Sequence, residues 1–299
     1  MKPADLKVRH HFVQLPSLRL HYVEAGEGPL VILLHGFPES WWSWRYQLQT
    51  LADAGFRVIA PDLRGYGETD KRGPFDLDTI VGDVCHLIEA LGEKRAKIVG
   101  HDWGGGVAWH LAAHRPEFCE RLTILNCPHP AKMNEALLGR PAWAQLKKSW
   151  YFFFFQLPWL PEWLLTRDDA GTLVRMLKAS SVDRSHFSPE ELRPFRDAIQ
   201  RPGAATAMVN WYRTAVRQGF RSFRNPVPYP PITCETLLVW GMQDPALGFD
   251  ELVPGTEKWA PKLAIEEIPG CGHFVQSERP AEVNRALVRF LSASAPATA

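Results

Sequence analysis

The sequence predicts an α/β protein: a buried, mainly parallel sheet flanked by helices and interrupted by a helical insertion. Three observations carry this. Short apolar runs alternate with helical patterns up to about residue 126. The alternation stops at about residue 127 and resumes at 235. Between those points there is helical periodicity but no run that reads as a buried strand. Apolar strands alternating with helices must be covered on both faces, which is the condition of a parallel sheet.

The elements follow in order. "RLHYVEAG" (19–26) reads as a strand, and "PLVILLHG" (29–36) as a short, fully apolar strand stopped by glycine. "SWWSWRYQLQTLADAG" (40–55) has a Ser N-cap and ends at Gly55, as a helix should. "FRVIAPD" (56–62) is the next strand, and "DLDTIVGDVCHLIEALG" (76–92) has helical periodicity and ends at Gly92. "AKIVGHD" (96–102) is a strand, "WGGGVAWHLAAHRP" (103–116) the helix after it, and "RLTILN" (121–126) another strand. The insertion holds the helical stretches "EELRPFRDAIQ" and "AATAMVNWYRTAVRQ" and leaves through the stiff "NPVPYPP" (225–231). "ETLLVWG" (235–241), "LAIEEIPG" (263–270) and a helix over 280–292 complete the sheet unit, and the tail "SASAPATA" is expected to be disordered. The division is thus a discontinuous core, 1–127 with 231–299, and an inserted helical domain over 128–230.

Bulk properties narrow the function classes. The 299 residues are 45% hydrophobic and 22% charged, an ordinary soluble composition that can bury a sizeable core. The net charge of +1 leaves no electrostatic footprint for nucleic acid or an anionic membrane. Twelve tryptophans and sixteen phenylalanines suit a core and also a pocket for apolar ligands. Five cysteines without a C-x-x-C argue against a disulfide scaffold or a zinc site. No cofactor or metal is expected. The start "MKPADLKVRHH" has no apolar stretch of a cleaved signal, and "YFFFFQLPWL" (151–160) is too short and proline-broken to span a membrane. A reduced, cytoplasmic setting is the expectation; monomer and homodimer are both open.

The chemistry concentrates at "GHDWGG" (100–105). Gly100, Asp102 and Gly104 form G-x-D-x-G between a strand and a helix. That is the architecture of the nucleophile elbow of the α/β-hydrolases, with aspartate where serine stands in G-x-S-x-G. The partners follow in the order of that fold: Asp244 in "WGMQDP" and His273 in "GCGHF", each after a strand's C-terminal end, where open α/β sheets build their sites. "HGFP" (35–38) follows another strand, so the Phe37 and Trp103 N–H groups are candidates for an oxyanion hole, and Phe37, Pro38 and Trp103 for the pocket.

Aspartate changes the reaction. Serine attacking a saturated carbon would give an ether, a dead end. Aspartate attacking a carbonyl would give a costly anhydride. Aspartate attacking a saturated carbon gives an ordinary ester, which can be hydrolysed. It is already ionised at neutral pH, and the following helix N-terminus favours its charge. His273, oriented by Asp244, is then free to activate water. The leaving group is a halide or an epoxide oxygen. An epoxide oxygen departs toward an alkoxide and needs an acid, for which a phenol from the insertion is suited.

With these motifs in view, the chain resembles the epoxide hydrolases of the α/β-hydrolase fold from about residue 10 to 292. The resemblance rests on "HGFPESWWSWR", "APDLRGYGETD", "GHDWGGGVAW", "WGMQDP" and "GCGHFVQSERP". It implies a mostly parallel, eight-stranded sheet with a helical cap, a small apolar epoxide and water as substrates, and two cap tyrosines that activate the epoxide oxygen. Those are Tyr151 in "SWYFFFFQ" and Tyr212 in "NWYR". The alternatives are a haloalkane dehalogenase, which shares the aspartate, a ligand-binding receptor on the same scaffold, and an esterase, which Asp102 disfavours. Phe37 stands where many such dehalogenases carry an asparagine halide donor. Asn126, after strand 121–125, is not an acid, which leaves Asp244 as the acid of the triad.

Overall fold

The computed structural model describes residues 6–139, 143–224 and 228–293. Eight strands form one sheet: β1 (Arg9–Gln14), β2 (Arg19–Ala25), β3 (Leu30–Leu34), β4 (Arg57–Pro61), β5 (Ala96–His101), β6 (Cys119–Leu125), β7 (Thr236–Gly241) and β8 (Leu263–Ile268). Their spatial order is β1-β2-β4-β3-β5-β6-β7-β8. Only β2 runs against its neighbours, pairing antiparallel with β1 and β4, while every pair from β4 to β8 is parallel.

Strands β3, β5 and β7 are buried along their whole length, which explains their unbroken apolar sequences. Side chains alternate between two faces. Ile32, Leu34, Ile98 and Ile124 join one cluster, and Val31, Leu33, Val99 and Leu125 the other. Helices α1 (Arg45–Asp53) and the last helix, Pro280–Ser292, cover the second face. Helices α2 (Leu77–Ala90) and α3 (Trp103–His114) cover the first. The seven strands read from sequence all appear. β1 was not anticipated: its exposed residues bury no continuous face, and it is held by backbone pairing to β2, from Arg9↔Glu24 to Gln14↔Arg19.

Between β6 and β7 stand α4 (Pro130–Asn134), α5 (Trp143–Lys148), α6 (Trp150–Phe154), α7 (Leu160–Ala179), α8 (Pro189–Gln200) and α9 (Ala204–Arg224). Helix α8 starts at a capping box, with the Ser188 side chain accepting from Glu191 N–H and the Glu191 side chain accepting from Ser188 N–H. Helix α7 had no clear sequence signature. It is two helical pieces joined at Arg167–Ala170, where Asp168, Asp169 and Ala170 take positive φ. After β7 come α10 (Phe249–Leu252), α11 (Val275–Glu278) and α12 (Pro280–Ser292). Ser40 does cap its helix, but as a short 3₁₀ turn over Trp41–Trp44 before α1. Residues 225–227 of the proline-rich exit and 294–299 of the tail lie outside the described residues. All five cysteines are free thiols.

Candidate active site

The loops after β3, β5, β7 and β8 converge at the C-terminal edge of the sheet. Asp102 sits between β5 and α3 at φ 49° and ψ −122°, a sharp turn that a side-chain-bearing residue adopts only under constraint. The glycines around it are steric necessities. A Cβ on Gly100 would lie 2.3 Å from Gly104 O, and one on Gly104 would lie 2.1 Å from Leu34 O. A Cβ on Gly36 would strike the Asp102 side chain itself. Strand, elbow and helix therefore pack at backbone contact.

Asp102 Oδ1 accepts the Phe37 N–H at 2.7 Å. Its Oδ2 lies 3.5 Å from His273 Nε2. His273 Nδ1 is 2.7 Å from Asp244 Oδ2. The Asp244 side chain is fully buried. It accepts the N–H groups of Ala246 at 2.8 Å and Leu247 at 2.9 Å, and Asn126 Nδ2 at 2.8 Å. Asn126 is a positioning group that sequence reasoning used only by exclusion. It also accepts Gly241 N–H at 2.8 Å, tying the end of β6 to the end of β7.

Charge is balanced inside the site. Burial is the largest influence on Asp102 and would raise its pKa, but His273, His101 and the Phe37 N–H outweigh it and the net shift is downward. Asp244 behaves alike: burial raises it, and His273, Asn126 and the loop N–H groups bring it below the usual value. Burial would lower His273, yet the Asp244 charge and the hydrogen bonds to both carboxylates hold it well above the usual imidazole value. The free site is thus an imidazolium between two carboxylates. Behind it, His101 is 2.9 Å from Glu39 Oε2 through Nδ1 and 2.9 Å from His273 O through Nε2. This buried pair fixes the backbone of His273 and was not anticipated from sequence.

A cavity of about 520 Å³ opens onto Asp102 and Trp103 from the insertion side. Tyr151 from α6 and Tyr212 from α9 line it too, with ring centroids 5.8 Å apart. Burial, then the nearby Asp102 charge, pushes both phenols well above their usual pKa, so both keep their protons. Two expected pocket residues stand differently. Phe37 and Pro38 are buried and are not among the residues lining the cavity. The Phe37 ring packs edge-on behind Tyr212 at 5.1 Å, so Phe37 meets the site through its N–H. The Phe37–Pro38 peptide is cis. Among the described residues no cluster could hold a metal ion, and no helix is long and apolar enough to cross a membrane.

Comparison with known proteins agrees with this fold. Residues 31–286 match the model of the alpha/beta hydrolase family. The chain is 40% identical over 294 residues to the AB hydrolase superfamily protein YfhM of Bacillus subtilis, covering 95% of this chain and 98% of that one. It is 36% identical to human Epoxide hydrolase 4, covering 94% of this chain and 78% of that one. Among solved structures, a mutant epoxide hydrolase of Bacillus megaterium complexed with its diol product superposes with a TM-score of 0.85 at 27% identity, over 95% of this chain and 100% of that one. Fold, elbow and full-length similarity lead to one assignment: the chain belongs to the α/β hydrolase family and has epoxide hydrolases among its relatives.

Proposed function

We propose that the protein is an epoxide hydrolase that converts an epoxide and water to a vicinal diol through an ester on Asp102. The observation that carries this is a pair of phenols, the half-buried Tyr151 and the buried Tyr212, in the same cavity as an elbow carboxylate. A halide leaves as a stable anion and has no use for two proton donors.

Asp102 Oδ2 attacks an epoxide carbon, and the carbon–oxygen bond opposite breaks. The departing oxygen takes a proton from one tyrosine while the other donates a hydrogen bond. The product is a hydroxyalkyl ester and a tyrosinate. Esterification removes the Asp102 charge, which is one of the influences holding the His273 pKa up. His273 thereby becomes the stronger acid and its proton returns the tyrosinate to phenol. Neutral His273 now takes a proton from water, with Asp244 stabilising the imidazolium. Hydroxide adds to the Asp102 carboxyl carbon. The oxyanion develops on Oδ1, where the Phe37 N–H already points at 2.7 Å. Trp103, first in α3, has an N–H without an intrahelical partner and supplies the second donor. Collapse expels the diol oxygen, which takes the carboxyl proton. Asp102 is again a carboxylate and His273 an imidazolium, so the cycle closes.

In this reading residues 128–230 act as a cap that carries the acids. The test is a single turnover of styrene oxide in ¹⁸O-water. The first diol should carry oxygen from Asp102, and solvent label in that first product would refute the ester route. Release of halide from a bromoalkane without diol formation from styrene oxide would favour a dehalogenase instead.

A further inference from the structure

The cavity does not end at the reacting groups. Along α3 it is lined by Asp102, Trp103, Gly106 and His110, residues spaced to share one face of the helix. His110 is eight residues beyond Asp102, roughly 12 Å along the axis at ~1.5 Å per residue. Gly106 has no side chain, and a Cβ there would meet nothing nearer than Trp103 Cε3 at 4.0 Å, so the passage between the two ends stays open.

At the far end a second polar group is built from three separate segments. His110 Nε2 is 2.8 Å from Asp78 Oδ1, and His110 Nδ1 is 2.7 Å from Tyr229 Oη. All three residues line the cavity. A carboxylate only accepts, so Nε2 carries the proton toward Asp78, and in that tautomer Nδ1 accepts the Tyr229 hydroxyl hydrogen. Tyr229 Oη is then left with lone pairs, and Asp78 with its second carboxylate oxygen. The Tyr229 ring is held in place by edge-on contacts with His110 at 5.7 Å, His114 at 5.0 Å and His129 at 4.6 Å. Among the described residues that line the cavity there is no lysine or arginine.

We propose that Tyr229, His110 and Asp78 form a distal subsite that selects epoxides whose substituent ends in a hydrogen-bond donor, such as a hydroxyl, and rejects those ending in a carboxylate. The inference rests on the epoxide reading above and names the substrate class for it. The terminal hydroxyl donates to Tyr229 Oη or to the free Asp78 oxygen. An ether at the same place has no hydrogen to give, and a carboxylate faces the like charge of Asp78, whose side chain stands at the exposed mouth of the cavity.

The test compares 7,8-epoxyoctan-1-ol, its methyl ether and 7,8-epoxyoctanoate, with styrene oxide as a short substrate that does not reach the subsite. The wild type should show kcat/KM about tenfold higher for the alcohol than for the ether, the worth of one hydrogen bond, and lowest for the carboxylate. Asp78→Asn should recover much of the carboxylate's deficit. Tyr229→Phe together with Asp78→Asn should bring the alcohol-to-ether ratio near one while leaving styrene oxide turnover unchanged, which also shows that the double variant is folded. Equal rates for alcohol and ether in the wild type, or a preference untouched in the double variant, would overturn the subsite. If no epoxide at all is turned over, the reaction reading has failed instead. Calorimetric binding of octane-1,2,8-triol against 8-methoxyoctane-1,2-diol then decides the subsite without turnover: tighter triol binding supports it, and equal binding overturns it.

Discussion

Asp102 combines a strained backbone with a charge that its neighbours stabilise. Its pKa lies below the ordinary 3.8, and those of the two cavity phenols lie well above the ordinary 10.0. In the proposed reaction the carboxylate and the phenols therefore share a broad window in which both are in the required form. The rate of ester formation, followed by stopped-flow tryptophan fluorescence, should stay flat from about pH 5 to about pH 9. His273→Gln should leave ester formation measurable and stop its hydrolysis, so that intact mass shows the enzyme plus one epoxide. A variant that still turns over without accumulating adduct would remove His273 from the second step. Asp102, His273, Asp244, Tyr151 and Tyr212, which the fold brings together, could be singled out in the sequence because each sits in a short motif with its own chemical demand. Asn126 and the Glu39–His101 pair were not. Their value lies in what lies opposite them, and a buried polar side chain carries no periodic signal.

Helices and strands set the tolerances around these residues. The elbow holds β5, α3 and the end of β3 at backbone contact through Gly100 and Gly104. Gly104→Ala is expected to destabilise the fold by about 3 kcal/mol, since the contacting atoms are backbone and cannot yield as a side chain would. Urea unfolding measures this directly. In the insertion, Ser188 caps α8 through a reciprocal pair of hydrogen bonds with Glu191. Ser188→Ala should cost about 1 kcal/mol and leave kcat unchanged. Central strands were readable because burial on both faces forces long apolar runs. β1 escaped because an edge strand held by its backbone needs no apolar face. α7 escaped because its two pieces break at Arg167–Ala170 and no single helical period runs through it.

Across the molecule, the insertion is fastened to the sheet unit by directed hydrogen bonds. Trp42 Nε1 donates to Glu191 O at 3.0 Å, Trp211 Nε1 to Arg64 O at 3.0 Å, and Arg45 Nη2 to His186 O at 3.1 Å. Gln145 donates to Ala246 O at 2.8 Å and accepts Gly248 N–H at 2.9 Å. With this much shared surface the protein is expected to unfold in one transition, with near-ultraviolet dichroism and tryptophan fluorescence coincident. Gln145→Ala should lower stability by about 1–3 kcal/mol because it orphans buried backbone groups on the far side.

The Asp102–His273–Asp244 cluster contributes to the pH dependence of stability. His273 is raised in the folded state, so its contribution is complete below the ordinary 6.5 and is lost as pH rises through the folded value. Asp102 and Asp244 are lowered, so theirs is complete above the ordinary 3.8 and is lost as pH falls through their folded values. The stability difference between wild type and Asp244→Asn should thus be largest at about pH 5 and shrink toward alkaline pH.

The sequence by itself determined the α/β class, the interruption of the sheet and the aspartate at the elbow on which the proposed reaction turns. These depend on local facts: burial period, turn chemistry, and what a carboxylate can and cannot attack. Tertiary structure alone decided how the pieces meet. It placed Phe37 behind Tyr212 with only its N–H in reach of Asp102, and closed a charged triad across residues 102, 244 and 273. It also brought Asp78, His110 and Tyr229 to one end of the cavity. Such meetings follow from the crossing of helices over a twisted sheet, and residues that touch only through packing leave no mark at any fixed spacing along the chain.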